Sequence, residues 1–360
     1  LWRVDELRTG DKNAHDGYCS GLTSAEYNRV RTPGKKSFGA KARKFTHNRM
    51  WKYQKRYSVE QLKIIAKTGA AAFATGTSLP ASRQYAGQAG IQTATIVAGG
   101  QSPSTYNNNN SYSYDGSSWT ATNNLGTGRR LADMLGTQSL ALLAGSGTFP
   151  PSTGITTVEE WDGTNWTAGG VIATARYGTF GGGTQNAAVI AGGSGPGVYF
   201  DDTEEYNGTA WSTVTLMPRN GGNGTSGADL QTDMYCVAGG PGNKTTSVVY
   251  DGTNWTSGAS ISGDGRRGQG GAMATSAGPG FLTCGETATV NPITTTEEWN
   301  GTAFSSSTAC PTATRDQANG DNGTGAAGLV VGGHTSTAIT NNVFEFTGSG
   351  IIETRTITAS

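Results

Sequence analysis

A decapeptide, Val158 to Thr167 (VEEWDGTNWT), returns in altered copies along the last three quarters of the 360-residue chain, and no other feature constrains the fold as strongly. Its relatives are Tyr114-Asp115-Gly116-Ser117-Ser118-Trp119, Tyr206-Asn207-Gly208-Thr209-Ala210-Trp211, Tyr250-Asp251-Gly252-Thr253-Asn254-Trp255 and Trp299-Asn300-Gly301-Thr302-Ala303-Phe304, with a worn copy at Phe346 to Ile351. Each places an aromatic residue before Asp-Gly or Asn-Gly and a second large apolar residue three positions after the glycine. Such a unit reads as a hairpin. Asp-Gly and Asn-Gly suit a two-residue type I′ turn, and the flanking large residues fall on two antiparallel strands.

A second landmark fixes the period. Ala98-Gly99-Gly100, Ala144-Gly145-Ser146, Ala191-Gly192-Gly193, Ala238-Gly239-Gly240, Cys284-Gly285-Glu286 and Val331-Gly332-Gly333 follow one another at 46, 47, 47, 46 and 47 residues. Short apolar runs precede them, such as Thr95-Ile96-Val97 and Ala188-Val189-Ile190, and an Arg lies further upstream in each unit: Arg83, Arg129, Arg176, Arg219, Arg266 and Arg315. One unit is therefore four strands in about 47 residues, the period of a β-propeller blade.

The order Arg, apolar-Gly-Gly, aromatic, Trp resembles the kelch repeat over Leu79 to Ser360. The resemblance implies an all-β, six-bladed kelch-like propeller at 79–360; residues 1–78, outside the resemblance, read from their charge and lack of periodicity as a basic, mostly irregular N-terminal docking arm and linker. Gly285-Glu286 and the last copy, which lacks its Trp, depart from the kelch pattern. In the structural repeat, Trp119, Trp166, Trp211, Trp255 and Phe304 take equivalent positions, and the Trp residues are expected to be buried. Because Ile357 to Ser360 matches Leu79 to Ser82, the sixth blade is expected to draw all its strands from the C-terminus. The N-terminus then lends none, and Leu79 to Ser360 should fold alone.

Gly at 56 of 360 residues and only 14% charged residues suit short strands and tight turns rather than long helices. No apolar run is long enough to span a membrane, and no secretory signal is visible. Leu1 in place of an initiator Met leads us to expect a processed chain or an internal start. The zero net charge conceals segregation: residues 1–67 carry 16 Lys+Arg against 6 Asp+Glu, and the remainder 10 against 20. Basic clusters in the arm (Lys35, Lys36, Lys41, Arg43, Lys44, Lys55, Arg56) are interleaved with Phe45, Trp51, Tyr53 and Tyr57. A free tail would be poorer in aromatics. These eleven residues are therefore the candidate assembly-docking set, suited to an acidic partner surface. Ser58 and Gln61 form a capping box ahead of Leu62, Ile65 and Ala66, which predicts one short helix ending at Gly69.

Chemistry has few footholds. His15, His47 and His334 cannot assemble a copper oxidase centre, and none of the residues is read as catalytic, cofactor-binding or metal-ligating. Asp and Gly adjoin in every DGxxW run, unlike sialidase Asp boxes, and the six Arg repeat one structural position instead of converging on a substrate. Glu159-Glu160, Glu204-Glu205 and Glu297-Glu298 point to opposite faces of their strands, which predicts solvated blade positions rather than paired catalytic acids. Asp201-Asp202 reads as a solvated loop with a weak cation site as the alternative. Asn-Xaa-Thr sequons coincide with the repeated turn, whose preferences already explain them. No Gly loop cradles a phosphate. Cys236 and Cys284 fall in inner strands of different repeats, as buried thiols. Nothing in the arm reads bases, so nucleic acid is not an expected partner.

The Gly/Thr/Asn-rich blades with EEWDGTNWT-like repeats are similar in style to the kelch-type proteins of marine tailed bacteriophages. That resemblance implies a non-enzymatic virion component, associated with capsid or tail, whose arm docks on other virion proteins while the propeller projects outward. The alternative is a propeller that binds a host-surface receptor or glycan. It requires exposed aromatic platforms, and the variable loops contain little beyond Tyr106, Phe149, Tyr199 and Phe200.

Overall fold

The computed structural model describes residues 64–67, 70–225, 230–321, 323–349 and 352–355. Residues Ala70–Ser349 form one compact unit, a six-bladed β-propeller. Blade one comprises Gly87–Ile91, Ala94–Ala98, Ser111–Tyr114 and Trp119–Thr122, running from the axis outward. Blade three, Phe180–Thr184, Ala187–Ala191, Thr203–Tyr206 and Trp211–Thr213, repeats the same antiparallel order. No helix occurs among the described residues.

The second strand of each blade is an uninterrupted apolar run because it is buried on both faces. In blade one, Ile96 and Ala98 pack against Leu125, Met134, Leu143 and Trp161 of blade two. Val97 points the other way, toward Leu329, Val331 and Val343 of blade six. Six such clusters, one at every blade junction, replace a single central core. The cluster joining blades six and one shows that the ring is closed. At the axis the inner strands come close enough for Asn319–Asp321 to pair in parallel with Gly87–Ile91 and to touch Met134. Only glycine fits there: a Cβ on Gly320 would collide with the carbonyl oxygens of Met134 and Gln88.

The repeated hairpin differs from the two-residue turn read from Asp-Gly. The last paired residues are Tyr114 with Trp119, Trp161 with Trp166, Tyr206 with Trp211, Tyr250 with Trp255 and Trp299 with Phe304, leaving four residues in each loop. Oδ1 of Asp162 accepts the amides of Thr164 and Asn165 at 2.8 and 2.7 Å, and Asn207, Asp251 and Asn300 do the same. Only the glycine takes positive φ, at 88 to 91° in the five copies. The Asx side chain thus organises the turn, and those amide donors hold the Asp162 and Asp251 carboxylates below the usual range.

Trp119, Trp166, Trp211 and Trp255 do occupy equivalent positions, but they are half-buried. Each lies on the outermost strand with one face on the aromatic across the turn, at centroid separations of 4.8 to 5.3 Å. The residues fully buried at this place are the first aromatics, Tyr114, Trp161, Tyr206 and Tyr250. Phe304, which also meets Tyr235 of the neighbouring blade, is buried.

The Glu pairs are not solvated. Glu159, Glu204 and Glu297 are buried and ion-paired with Arg129, Arg176 and Arg266 of the same blade. Their remaining oxygens accept loop amides, as Glu159 does from Gly126 at 2.7 Å and Glu204 from Ala173 at 2.7 Å. The second Glu faces the next blade, where Tyr206 donates to Glu160, Tyr250 to Glu205 at 2.9 Å and Tyr114 to Glu345 at 2.9 Å. Gln92, Gln138 and Gln185, each in the turn after an inner strand, and Gln231, just ahead of Met234–Val237, donate to backbone carbonyls of the preceding blade. The six Arg do not share one position. Arg83, Arg129, Arg176 and Arg266 do; Arg315 sits one residue later in its blade, and Arg219 stacks on Phe180 at 5.0 Å, out of register.

Blade six does borrow a strand. Ala72–Thr75, within what reads as linker, pairs antiparallel with Val343–Thr347 and forms the outermost strand. Phe73 packs on Phe346 at 5.0 Å, the counterpart of the aromatic pairs elsewhere, which explains why the last copy can lack its Trp. Of the helix expected up to Gly69, the described stretch Ile64–Lys67 is instead a strand paired with Ile352–Arg355. Two β-branched residues beside a partner strand favour the extended form over a capping signal. Cys236, Cys284 and Cys310 are buried free thiols.

Two outcomes follow from this packing. Phe346→Ala, at a fully buried ring stacked on Phe281 at 4.2 Å, is expected to cost about 3–5 kcal/mol in urea unfolding, and deletion of Ala72 to Thr75 should destabilise the propeller, whereas a fragment starting at Ala70 unfolds cooperatively. Arg176→Ala strands the Glu204 carboxylate and should cost about 3–5 kcal/mol, while replacing both residues by apolar ones of similar volume should recover most of that loss.

Candidate functional site at the loop end of the axis

A closed circle of backbone hydrogen bonds surrounds one end of the axis. Leu131 N–H donates to Tyr85 C=O, Gly178 to Leu131, Asn223 to Gly178, Gly268 to Asn223, Asp316 to Gly268 and Tyr85 to Asp316, at 2.6 to 2.9 Å. One residue per blade supplies both donor and acceptor, just ahead of the inner strand. All six adopt the left-handed conformation, with φ between 55 and 61°. For Tyr85 and Leu131 this costs about 1–2 kcal/mol each, offset by a bond that no other geometry would complete. Beneath the circle lies a cavity of about 30 Å3, lined in part by Gln269, Gln317 and Asp316, with room for a water molecule or a small ion only. The axial opening within the circle is therefore narrow, and a larger ligand sits on the mouth.

The residues preceding the circle line that mouth. Gln84, Arg130, Tyr177 and Arg315 each bridge to the residue after the landmark, Gln101, Gly147, Ser194 and His334, and Arg267 bridges to Glu286, which ends the landmark of its blade, where Cys284 and Gly285 take the positive φ of the two glycines. The loops after the second strands rise from here, carrying Tyr106, Phe149 and the short hairpin Ser194–Gly195 with Val198–Tyr199. On one side, Arg267 donates to Glu286 at 2.6 Å, Arg315 lies 3.5 Å from Glu286, and Arg315 donates to Asp316 at 2.9 Å. On the other, the Arg130 guanidinium stacks over Phe149 at 4.6 Å and Tyr85 at 5.4 Å and donates to Gln101 at 2.7 Å. Phe149 in turn meets Tyr106 edge to face at 4.9 Å.

Burial pushes the Asp316 carboxyl up to about 6, against the pull of Arg315, Tyr85 and Arg267. Burial and the neighbouring Asp316 raise the Tyr85 phenol well above its ordinary value, so it remains protonated and able to donate. Burial lowers Arg130, but a guanidinium stays charged at any physiological pH.

The eleven basic and aromatic docking residues from Lys35 to Tyr57 lie outside the described residues. Trp119, Trp166, Trp211, Trp255 and Phe304 sit on the outer strands, far along each blade from the circle. Tyr106 and Tyr199 are at the loop end and exposed, at 51% and 41%. Arg130, Arg267, Tyr85 and Asp316 went unrecognised in the sequence, and Arg315 was read only as a repeat position. For Arg130 and Arg267 the signal was the residue after the repeated Arg, visible in the doublets Arg129-Arg130 and Arg266-Arg267. Among the described residues no group of three or more His, Cys, Asp and Glu is arranged to hold a metal ion, and Asp201-Asp202 gathers no further acid into such a group.

No protein-family model matches the chain, and no curated protein matches it. Among solved structures, the one described as "Structure of YjhT" is similar with a TM-score of 0.62 at 13% identity, covering 75% of this chain and 96% of that one. At that identity the likeness concerns the propeller fold alone.

Asp316 supplies a pH signature. Its native carboxyl binds a proton more tightly than the ordinary value near 3.8, so stability present at low pH is lost as pH rises toward about 6. Stability curves of wild type and Asp316→Asn should diverge in favour of the variant between about pH 4 and pH 6 and run parallel above it. Parallel curves throughout would place the Asp316 carboxyl at its ordinary value.

Proposed function

We propose that this chain is a non-enzymatic virion component of the kelch type, held on its particle by the basic N-terminal segment and presenting the loop end of the propeller to the host surface. The split in surface chemistry carries this reading. Residues 1–67 have 16 Lys+Arg against 6 Asp+Glu and 68–360 have 10 against 20, while the propeller concentrates exposed aromatic and guanidinium groups around the narrow axial mouth. Charge draws the arm to an acidic capsid or tail surface, and Phe45, Trp51, Tyr53 and Tyr57 make the attachment persist when salt screens the charge. A rigid ring with variable loops at one end suits recognition, because the loops can change without disturbing the blade junctions.

The reading is tested with parent particles that lack this protein. They should take up the full chain at high salt but not residues 70–360, and the free 70–360 propeller should compete with restored particles for host cells. Uptake of the truncated chain at full strength would move the docking surface onto the blades; a propeller that never competes would remove the recognition role.

A further inference from the structure

The mouth is unequal in charge. Arg267 and Arg315 are compensated by Glu286 and Asp316, whereas no ion pair among the described residues includes Arg130. Three guanidinium groups face two carboxylates, leaving one positive charge, and it resides on Arg130. Among the described residues, one of its five N–H donors bonds a side chain, that of Gln101. The guanidinium lies over the Tyr85 ring and within electrostatic range of Tyr177, Tyr106 and the Asp316 carboxylate, which already pairs with Arg315, so it is a half-buried cation with no ion-pair partner of its own. Holding such a cation partly out of water is costly, and a planar anion that accepts two parallel N–H bonds offsets the cost.

The geometry points to a carboxylate-bearing saccharide as the ligand of this mouth, with Arg130 as its carboxylate receptor. The proposal rests on the recognition role given above. A single excess charge matches a monoanionic carboxylate, whereas a phosphate dianion exceeds it and feels the repulsion of Glu286 and Asp316 about twice as strongly. Those two acids and Gln101 can accept hydroxyl donors of a sugar, and Arg267, with its side chain 44% exposed, can donate to them. Tyr106 offers an exposed ring edge-on to Phe149 as an apolar wall for a sugar face, and the exposed Tyr199 lies near enough for Arg267 to feel its charge. A mostly apolar surround with a few convergent polar groups is the usual form of such a site. Since the cavity below the circle admits no more than a water molecule or a small ion, the saccharide binds across the mouth and not along the axis.

The experiment is calorimetry of the full chain against oligogalacturonate, its neutral methyl ester, sialylated and sulfated oligosaccharides, and inorganic phosphate. At least one carboxylated sugar should bind, with its neutral counterpart at least tenfold weaker and phosphate silent. Arg130→Gln should lower that affinity at least tenfold and Tyr106→Ala measurably, with thermal unfolding used to select folded variants; Leu140→Ala, on the turn between the first two strands, serves as the control and should leave it unchanged. Binding only of sulfated sugars, equal binding of acid and ester, unaltered binding by folded Arg130→Gln, or no carboxylated ligand at all would each overturn the assignment. If host-cell competition by the propeller persists while every carboxylated sugar fails, the ligand class is wrong and the recognition role stands.

Discussion

The circle of six backbone hydrogen bonds at the axis is the constraint on which the rest depends. Each blade contributes one residue, held in the left-handed conformation, and receives one bond from the blade after it. A donor missing at any position would leave a buried carbonyl of its neighbour unpaired, at a cost of about 1–3 kcal/mol. The circle also fixes how near the inner strands approach, and hence why they are rich in glycine: Gly87, Gly181 and Gly320 all lie where a side chain would press on an adjoining blade.

From that fixed centre, the junctions widen outward in layers. Apolar side chains of the second strands fill the middle, and the Gln and Glu side chains reach across farther out. The alternation of strand side chains lets one Glu-Glu pair serve two purposes. Its first member closes an ion pair inside its own blade, and its second receives a tyrosine from the next. Where a blade lacks the first Glu, the arginine finds another setting, as Arg83 does over Tyr112 at 5.9 Å. The same circle that narrows the axis turns the preceding residue of each blade toward its rim, and so gathers Arg130, Arg267 and Arg315 from three blades at one mouth.

Much of the fold was legible because its signals are local. The turn, the aromatic pair and the apolar run each depend on residues within one blade, so they recur at a period of about 47 and can be counted. Two local readings still failed. Asp-Gly was taken for a two-residue turn because the side-chain acceptor role of Asp162 and Asn207 leaves no mark beyond the residue type. The Glu pairs read as solvated because adjacent carboxylates usually are; the first is buried by an arginine about 30 residues upstream in its own blade and the second by the next blade, and neither partner is marked by local spacing.

The sequence by itself determined the strand pattern, the number of blades and the equivalence of their positions, since these follow from repeated short-range chemistry. Only the tertiary structure decided how the ring closes, with Ala72–Thr75 lying against Val343–Thr347 about 270 residues away. It alone decided which blade each Glu and Gln engages, and that the residues after the repeated arginines converge on the axis. Those contacts join residues whose neighbourhood is set by sixfold closure, and a linear repeat specifies the blade without specifying what the blades turn toward one another.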